Sequence, residues 1–137
     1  MSTPAGPAIP ARRFPDVQVL LIEVLTPFVG VDRVALQTPA DLAQRLPFIR
    51  VARTGGYSDR LCDYARVDID VFHRTYADGE RLAARVHEYL TGQRLRAGNG
   101  LVDRVGVDVA PVELPWASGV RRFTGRYLLV SRRARTR

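Results

Sequence analysis

The chain has 137 residues, a formal charge of +7, 46% hydrophobic and 26% charged residues. That length suits one domain, and the composition is that of a folded protein. It excludes a large multidomain enzyme, a coiled-coil rod and a helical membrane protein, because no stretch approaches the ~20 apolar residues a spanning helix needs. All 21 basic residues are Arg. GC-rich coding produces that bias, and so does selection for bidentate anion contacts; composition does not separate them.

The charge is unevenly placed along the chain. Residues 1–113 hold 14 Arg and all 14 acidic residues. Leu114–Arg137 hold the other seven Arg and no acid, so the net charge belongs to the last 24 residues. Such a basic end points to an anionic partner. Cys62 is the single cysteine, so no intramolecular disulfide forms and nothing favours secretion. Glu23 interrupts the N-terminal apolar run, and a signal peptide is not expected.

Residues 1–15 carry Pro4, Pro7, Pro10 and Pro15 and read as an extended arm. Asp16 reads as an N-cap, with a helix over Val17–Leu25 that Pro27 ends or kinks. Val17, Leu20, Leu21 and Val24 belong to a helix apolar on nearly every side. In so small a domain that suggests burial against a neighbouring subunit as well as the chain's own core. A short strand is expected over Arg33–Gln37, then a short helix over Ala40–Leu46. A strand over Phe48–Arg53 runs into a Gly55–Gly56 turn, and Tyr57–Asp63 reads as a loop.

Tyr64–Arg74 is the clearest strand, with Ala65, Val67, Ile69 and Val71 on one face and Arg66, Asp68 and Asp70 on the other. Thr75 and Asp78 have capping-box spacing, which opens a helix to about Leu90, stopped by Gly92. Leu101–Val109 alternates, with Val105, Val107 and Val109 inward. Pro111–Gly119, with Trp116, reads as a loop. Val120–Ser131 is the last strand, with Arg122, Thr124 and Arg126 opposite Phe123, Tyr127 and Leu129. The organisation expected is an arm over 1–15, one α+β domain over 16–131 and a basic tail over 132–137. The fold class is a mainly antiparallel sheet of four to five strands with two main helices on one face.

No catalytic, cofactor-binding or metal-ligating residue is assigned. Asp68 and Asp70 share a face, and paired carboxylates can hold Mg²⁺ for nuclease chemistry, but the alternation with Arg66 fits a salt-bridged surface. His73 and His87 lack ligand spacing. The arginines are the stronger signal. Arg122 and Arg126 share one face of the last strand, and Arg132, Arg133, Arg135 and Arg137 extend it; they suit either a solvated basic tail or a phosphate backbone read without sequence preference, and the chain lacks a base-reading motif.

Four segments carry a resemblance: "FPDVQVLLIEVL", "FIRVARTGG", "ARVDIDVFHRTYADGERLAARVHEYL" and "VRRFTGRYLLVSRR". Over Phe14–Arg133 the chain resembles the tail terminator (tail completion) proteins of long-tailed bacteriophages. The resemblance implies a structural virion protein, not an enzyme and without a cofactor. It implies a hexameric ring that caps the tail tube, ends its polymerisation and offers a surface for joining the head. The implied partners are further copies of itself, the tube protein, a head-closure or adaptor protein and passing DNA, with no membrane. The implied place is the tail–neck junction, after assembly in the host cytoplasm. In that setting Val17, Leu20, Leu21, Val24 and Trp116 are the expected subunit interface. Arg121, Arg122, Arg126, Arg132 and Arg133 are the expected contacts to lumenal DNA or an acidic partner. A head-closure or adaptor ring protein is the nearest alternative; a nonspecific nucleic-acid-binding module and a metal nuclease are others.

Overall fold

The computed structural model describes residues 6, 13–98 and 100–133. Most of the proline-rich arm and the end of the basic tail lie outside them. The elements run α1 (Val17–Val29), β1 (Val34–Ala35), a 3₁₀ turn (Leu42–Gln44), β2 (Phe48–Ser58), β3 (Cys62–His73), α2 (Tyr76–Leu90), β4 (Leu95–Ala97), β5 (Gly100–Ala117) and β6 (Val120–Arg132). They form an α+β fold on one six-stranded sheet of order β1-β2-β3-β6-β5-β4. That exceeds the expected four to five strands, and it is mixed: β1 lies parallel to β2, and the other pairs are antiparallel.

Both helix starts follow from capping chemistry. The Asp16 side chain accepts from the amides of Gln18 and Val19, and the Thr75 hydroxyl accepts from the Asp78 amide. These bonds satisfy amides that a helix start leaves without partners. Pro27 does not end α1. It lacks only its own N–H, and the helix closes one turn later when the Gly30 amide donates to the Thr26 carbonyl. Gly92, at φ +83°, takes the left-handed conformation just after α2.

Both helices cover one sheet face. Val17, Leu20, Leu21 and Leu25 of α1 and Leu82, Ala83, Val86 and Leu90 of α2 share a core with Ile49, Val51, Ala65, Val67, Ile69, Val71, Tyr127 and Leu129. The alternation expected on β3 and β6 is therefore present, with the apolar set under the helices. A smaller cluster of Leu42, Phe48, Phe72 and Val120 lies at one end of the sheet.

Three expectations fail, for a shared reason. Gly55–Gly56 is not a turn but paired strand just past a β-bulge between Arg53 and Gly55, so β2 runs on to Ser58 and β3 starts at Cys62, within the segment read as a loop. Only Gly fits at 56, where φ is +114° and a Cβ would lie 1.9 Å from the Tyr64 carbonyl oxygen. Pro111–Gly119 is not a loop; β5 runs on to Ala117. Bulges between Val102/Arg104, Val107/Val109 and Val109/Val112 shift which residues face inward. Val105 is buried; Val107 keeps the same phase, opposite Tyr127, yet is 45% exposed on the open edge, and Val109, past the next bulge and opposite Arg126, is 46% exposed. A bulge adds one unpaired residue and reverses the alternation after it, which a period-two pattern does not anticipate.

Candidate interaction surfaces

Among the described residues no group of three or more His, Cys, Asp or Glu is placed to hold a metal. The surfaces open to other molecules are the sheet face away from the helices and the two sheet edges.

The outer face carries Arg–Asp pairs. Asp70 accepts from Arg50 Nε at 2.7 Å and from the Thr124 hydroxyl at 2.5 Å. Asp68 accepts from Arg126 at 2.7 and 3.3 Å, and Asp108 from Arg66 at 2.7 Å. Arg132 reaches Asp103 at 2.8 and 3.1 Å. Asp68 and Asp70 thus share a face as expected, and each carboxylate is committed to a guanidinium. His73 and His87 are not brought together. His73 Nδ1 accepts from the Arg74 amide, and His87 Nδ1 meets the Tyr127 hydroxyl at 2.8 Å. Burial pushes that hydroxyl's pKa well up.

The five arginines expected at an anion do not form one patch. Arg121 lies on the helix side, bonded twice to Glu113 at 2.6 and 2.8 Å and held over the Tyr76 ring. Arg122 lies 5.0 Å from the Trp116 ring centre, and its Nε is buried without a hydrogen-bond partner. Arg126 and Arg132 are paired as above. Arg132 belongs to β6, not to a solvated tail. Arg133 covers the Phe14 ring at 4.2 Å and donates to the Arg60 carbonyl. The acids missing from the last 24 residues are supplied across the sheet, Asp103 and Glu113 by β5 and Asp68 by β3. Three of the seven arginines of this segment are thus paired in space with acids from elsewhere in the chain.

These pairs give a pH signature. The hydrogen bonds from Arg132 and Arg121 hold the carboxyls of Asp103 and Glu113 below their usual range. A carboxyl depressed in the folded state adds stability above its unfolded pKa and loses it as pH falls through its folded pKa. The thermal midpoint is therefore expected to fall on acidification from about pH 5. Replacing both acids, Asp103→Asn with Glu113→Gln, makes that fall shallower in a scanning-calorimetry series.

The expected interface residues also separate. Val17, Leu20 and Leu21 are 0–1% exposed within their own chain. Within the chain these three are covered by the sheet and its neighbours, since α1 packs against β1, β2, β4 and α2. Val24 is half-buried, and Val19 on the same helix is 50% exposed. Trp116 is 42% exposed, edge-on to Phe72, with Arg50 and Arg122 at its ring.

Which sheet edges stand open was not readable from the sequence. β4 pairs with β5 only opposite Gly100–Val102, so β5 from Arg104 onward has β6 on one side alone. Val107, Val109, Val112, Leu114 and Trp116 are all at least 37% exposed along it. At the other side of the sheet β1 covers β2 only at Ile49–Arg50. Beyond that, the Arg53 amide is taken by the Gln18 side chain. The apolar alternation at Val112, Leu114 and Trp116 was a strand signal, masked by Pro111 and Pro115. Proline is tolerated there because an edge strand needs no outward donor.

This is a small α+β chain with open sheet edges and an ion-paired outer face. This chain belongs to the phage tail termination protein family, whose model matches residues 13–100. That makes it a bacteriophage structural tail protein. Its fold is similar to that of a chain in the virion of a native gene transfer agent (GTA) particle. The identity is 19%, covering 85% of this chain and 90% of that one, with a TM-score of 0.53. No curated protein matches the sequence.

Proposed function

We propose that the chain acts structurally, not catalytically, as a ring-forming cap of the phage tail tube. In this reading a homo-oligomer, a hexamer by family resemblance, ends tube polymerisation and presents a head-joining surface. It works at the tail–neck junction after assembly in the host cytoplasm, and its partners are the tube protein and a head-closure or adaptor protein.

The observation that supports it is the pair of unlike open edges on opposite sides of one sheet. A ring needs a heterologous, head-to-tail interface, in which two different surfaces of the same chain meet. An open edge offers unpaired amides and carbonyls to a neighbouring strand. On β5 the stretch from Arg104 to Ala110 has no proline and suits strand addition. Pro111 and Pro115 break the ladder beyond it, leaving Val112, Leu114 and Trp116 to meet a neighbour through side chains. Val24 remains a candidate contact on α1. Val17, Leu20 and Leu21 contribute by holding the subunit's shape.

The test places two charges on the edge, Val107→Glu with Val109→Glu. Both side chains are exposed, so the variant is expected to keep its melting transition. Light scattering and electron microscopy of the wild type with tube protein are expected to show rings at tube ends and limited tube length. The variant is expected to stay monomeric and let tubes grow. Unchanged assembly by the variant, or no effect of the wild type on tubes, overturns the reading. Binding to a head-side ring alone would favour the head-closure alternative.

A further inference from the structure

Several arginines without an ion pair gather at one end of the sheet. There β3 begins, β6 ends and β5 begins, in the register Cys62↔Arg132 and Val102↔Ser131. The Gly92–Arg94 turn after α2 and the Asp103–Val105 segment line an open cleft at this end. The bulge between Val102 and Arg104 turns both Asp103 and Arg104 away from the core while Val102 and Val105 stay buried.

Asp103 is the cleft's single carboxylate. It is bonded to Arg132, and Arg94 also stabilises its charge. Arg94 and Arg104 are exposed. Among the described residues neither has a carboxylate partner, and neither do nearby Arg60 and Arg96. Of the other acids at this end, Asp63 is bonded twice to Arg53, Asp59 accepts from the Leu61 and Cys62 amides, Glu23 from the Gly98 amide and Asp16 from the Gln18 and Val19 amides.

We propose that this cleft, through Arg94 and Arg104, binds the phosphodiester backbone of a nucleic acid. Guanidinium groups match phosphate geometry bidentately, and several converge here on one acid. A second copy of the chain is a poor counterpart, because it offers no acidic surplus. At the opposite end Arg45 donates to the Asp32 carbonyl, Arg74 to the Ala43 carbonyl, and Arg81 pairs with Asp78. No exposed aromatic side chain lines the cleft, so recognition is electrostatic and independent of sequence. The site differs from the arginines expected from sequence: Arg121, Arg122 and Arg126 lie outside it. It also stands apart from the tube-cap reading, since it is measured on the isolated chain.

The test is fluorescence anisotropy of the full chain with a labelled mixed-sequence DNA duplex, between ~50 and ~200 mM salt. The cleft variant is Arg94→Glu with Arg104→Glu. The control is Arg81→Glu with Arg85→Glu on α2, which removes the same net charge elsewhere. Melting curves confirm that both fold, and the milder Arg104→Gln gives a second reading. The cleft variant is expected to bind at least tenfold more weakly, with a salt slope smaller by about two, while the control keeps most of its affinity. Equal losses in cleft variant and control overturn the proposal, since net charge alone would then explain binding. So does binding of poly-glutamate but not DNA, which would make an acidic protein the ligand.

Discussion

Leu20→Ala is expected to lower the unfolding free energy by about 2–5 kcal/mol, and to do so without regard to protein concentration. Leu20 is 0% exposed in the α1–sheet core. Truncation removes the transfer energy of the lost carbons and leaves a cavity that Leu21, Leu25 and the sheet fill only in part. Urea titrations at two concentrations distinguish a core role from an interface role. A fixed midpoint shift identifies a core residue. A loss below ~1 kcal/mol in the dilute protein, with failure only of assembly, would restore the subunit-interface reading that the sequence suggested.

Asp70→Ala is expected to cost about 2–4 kcal/mol, below the ~3–5 for a fully buried pair because the Arg50 side chain keeps 28% of its exposure. Asp70 is 2% exposed and anchors both Arg50 and Thr124, joining β2, β3 and β6 across the outer face. Its removal strands one guanidinium and one hydroxyl beside the Phe72–Trp116 contact. Chemical denaturation of the variant and of Arg50→Met with Asp70→Leu separates the terms. The double change, which removes both charges, is expected to recover much of the loss. A single variant as stable as wild type would show that water screens the pair.

The pairings between strands explain why Arg-rich strands here are structural elements first. Arg121, Arg126 and Arg132 each spend their donors on a carboxylate of the same chain. Binding to anything else would have to break those contacts. Arg94 and Arg104 carry no such commitment, which is why the proposed anion site moves to the start of β5.

Local signals in the sequence carried far. The caps at Asp16 and Thr75, the stop at Gly92 and the inward rows of β3 and β6 depend on residues a few positions apart, and periodicity reports these directly. The family was also legible, from segments within that same frame. Long-range pairing was not. Nothing near Arg132 says that Asp103 neutralises it, nor near Arg121 that Glu113 does, because those acids arrive through strand register. The bulges in β2 and β5 each add a residue, and so decided which valines are buried and which form an open edge. How much of the apolar α1 is buried within its own chain was likewise decided by the sheet it packs on. The sequence determined the elements, their facing and the total charge, since these follow from chain chemistry at short range. Only the tertiary structure decided which charges cancel and which edges stay open, because both depend on what the fold brings together from distant positions.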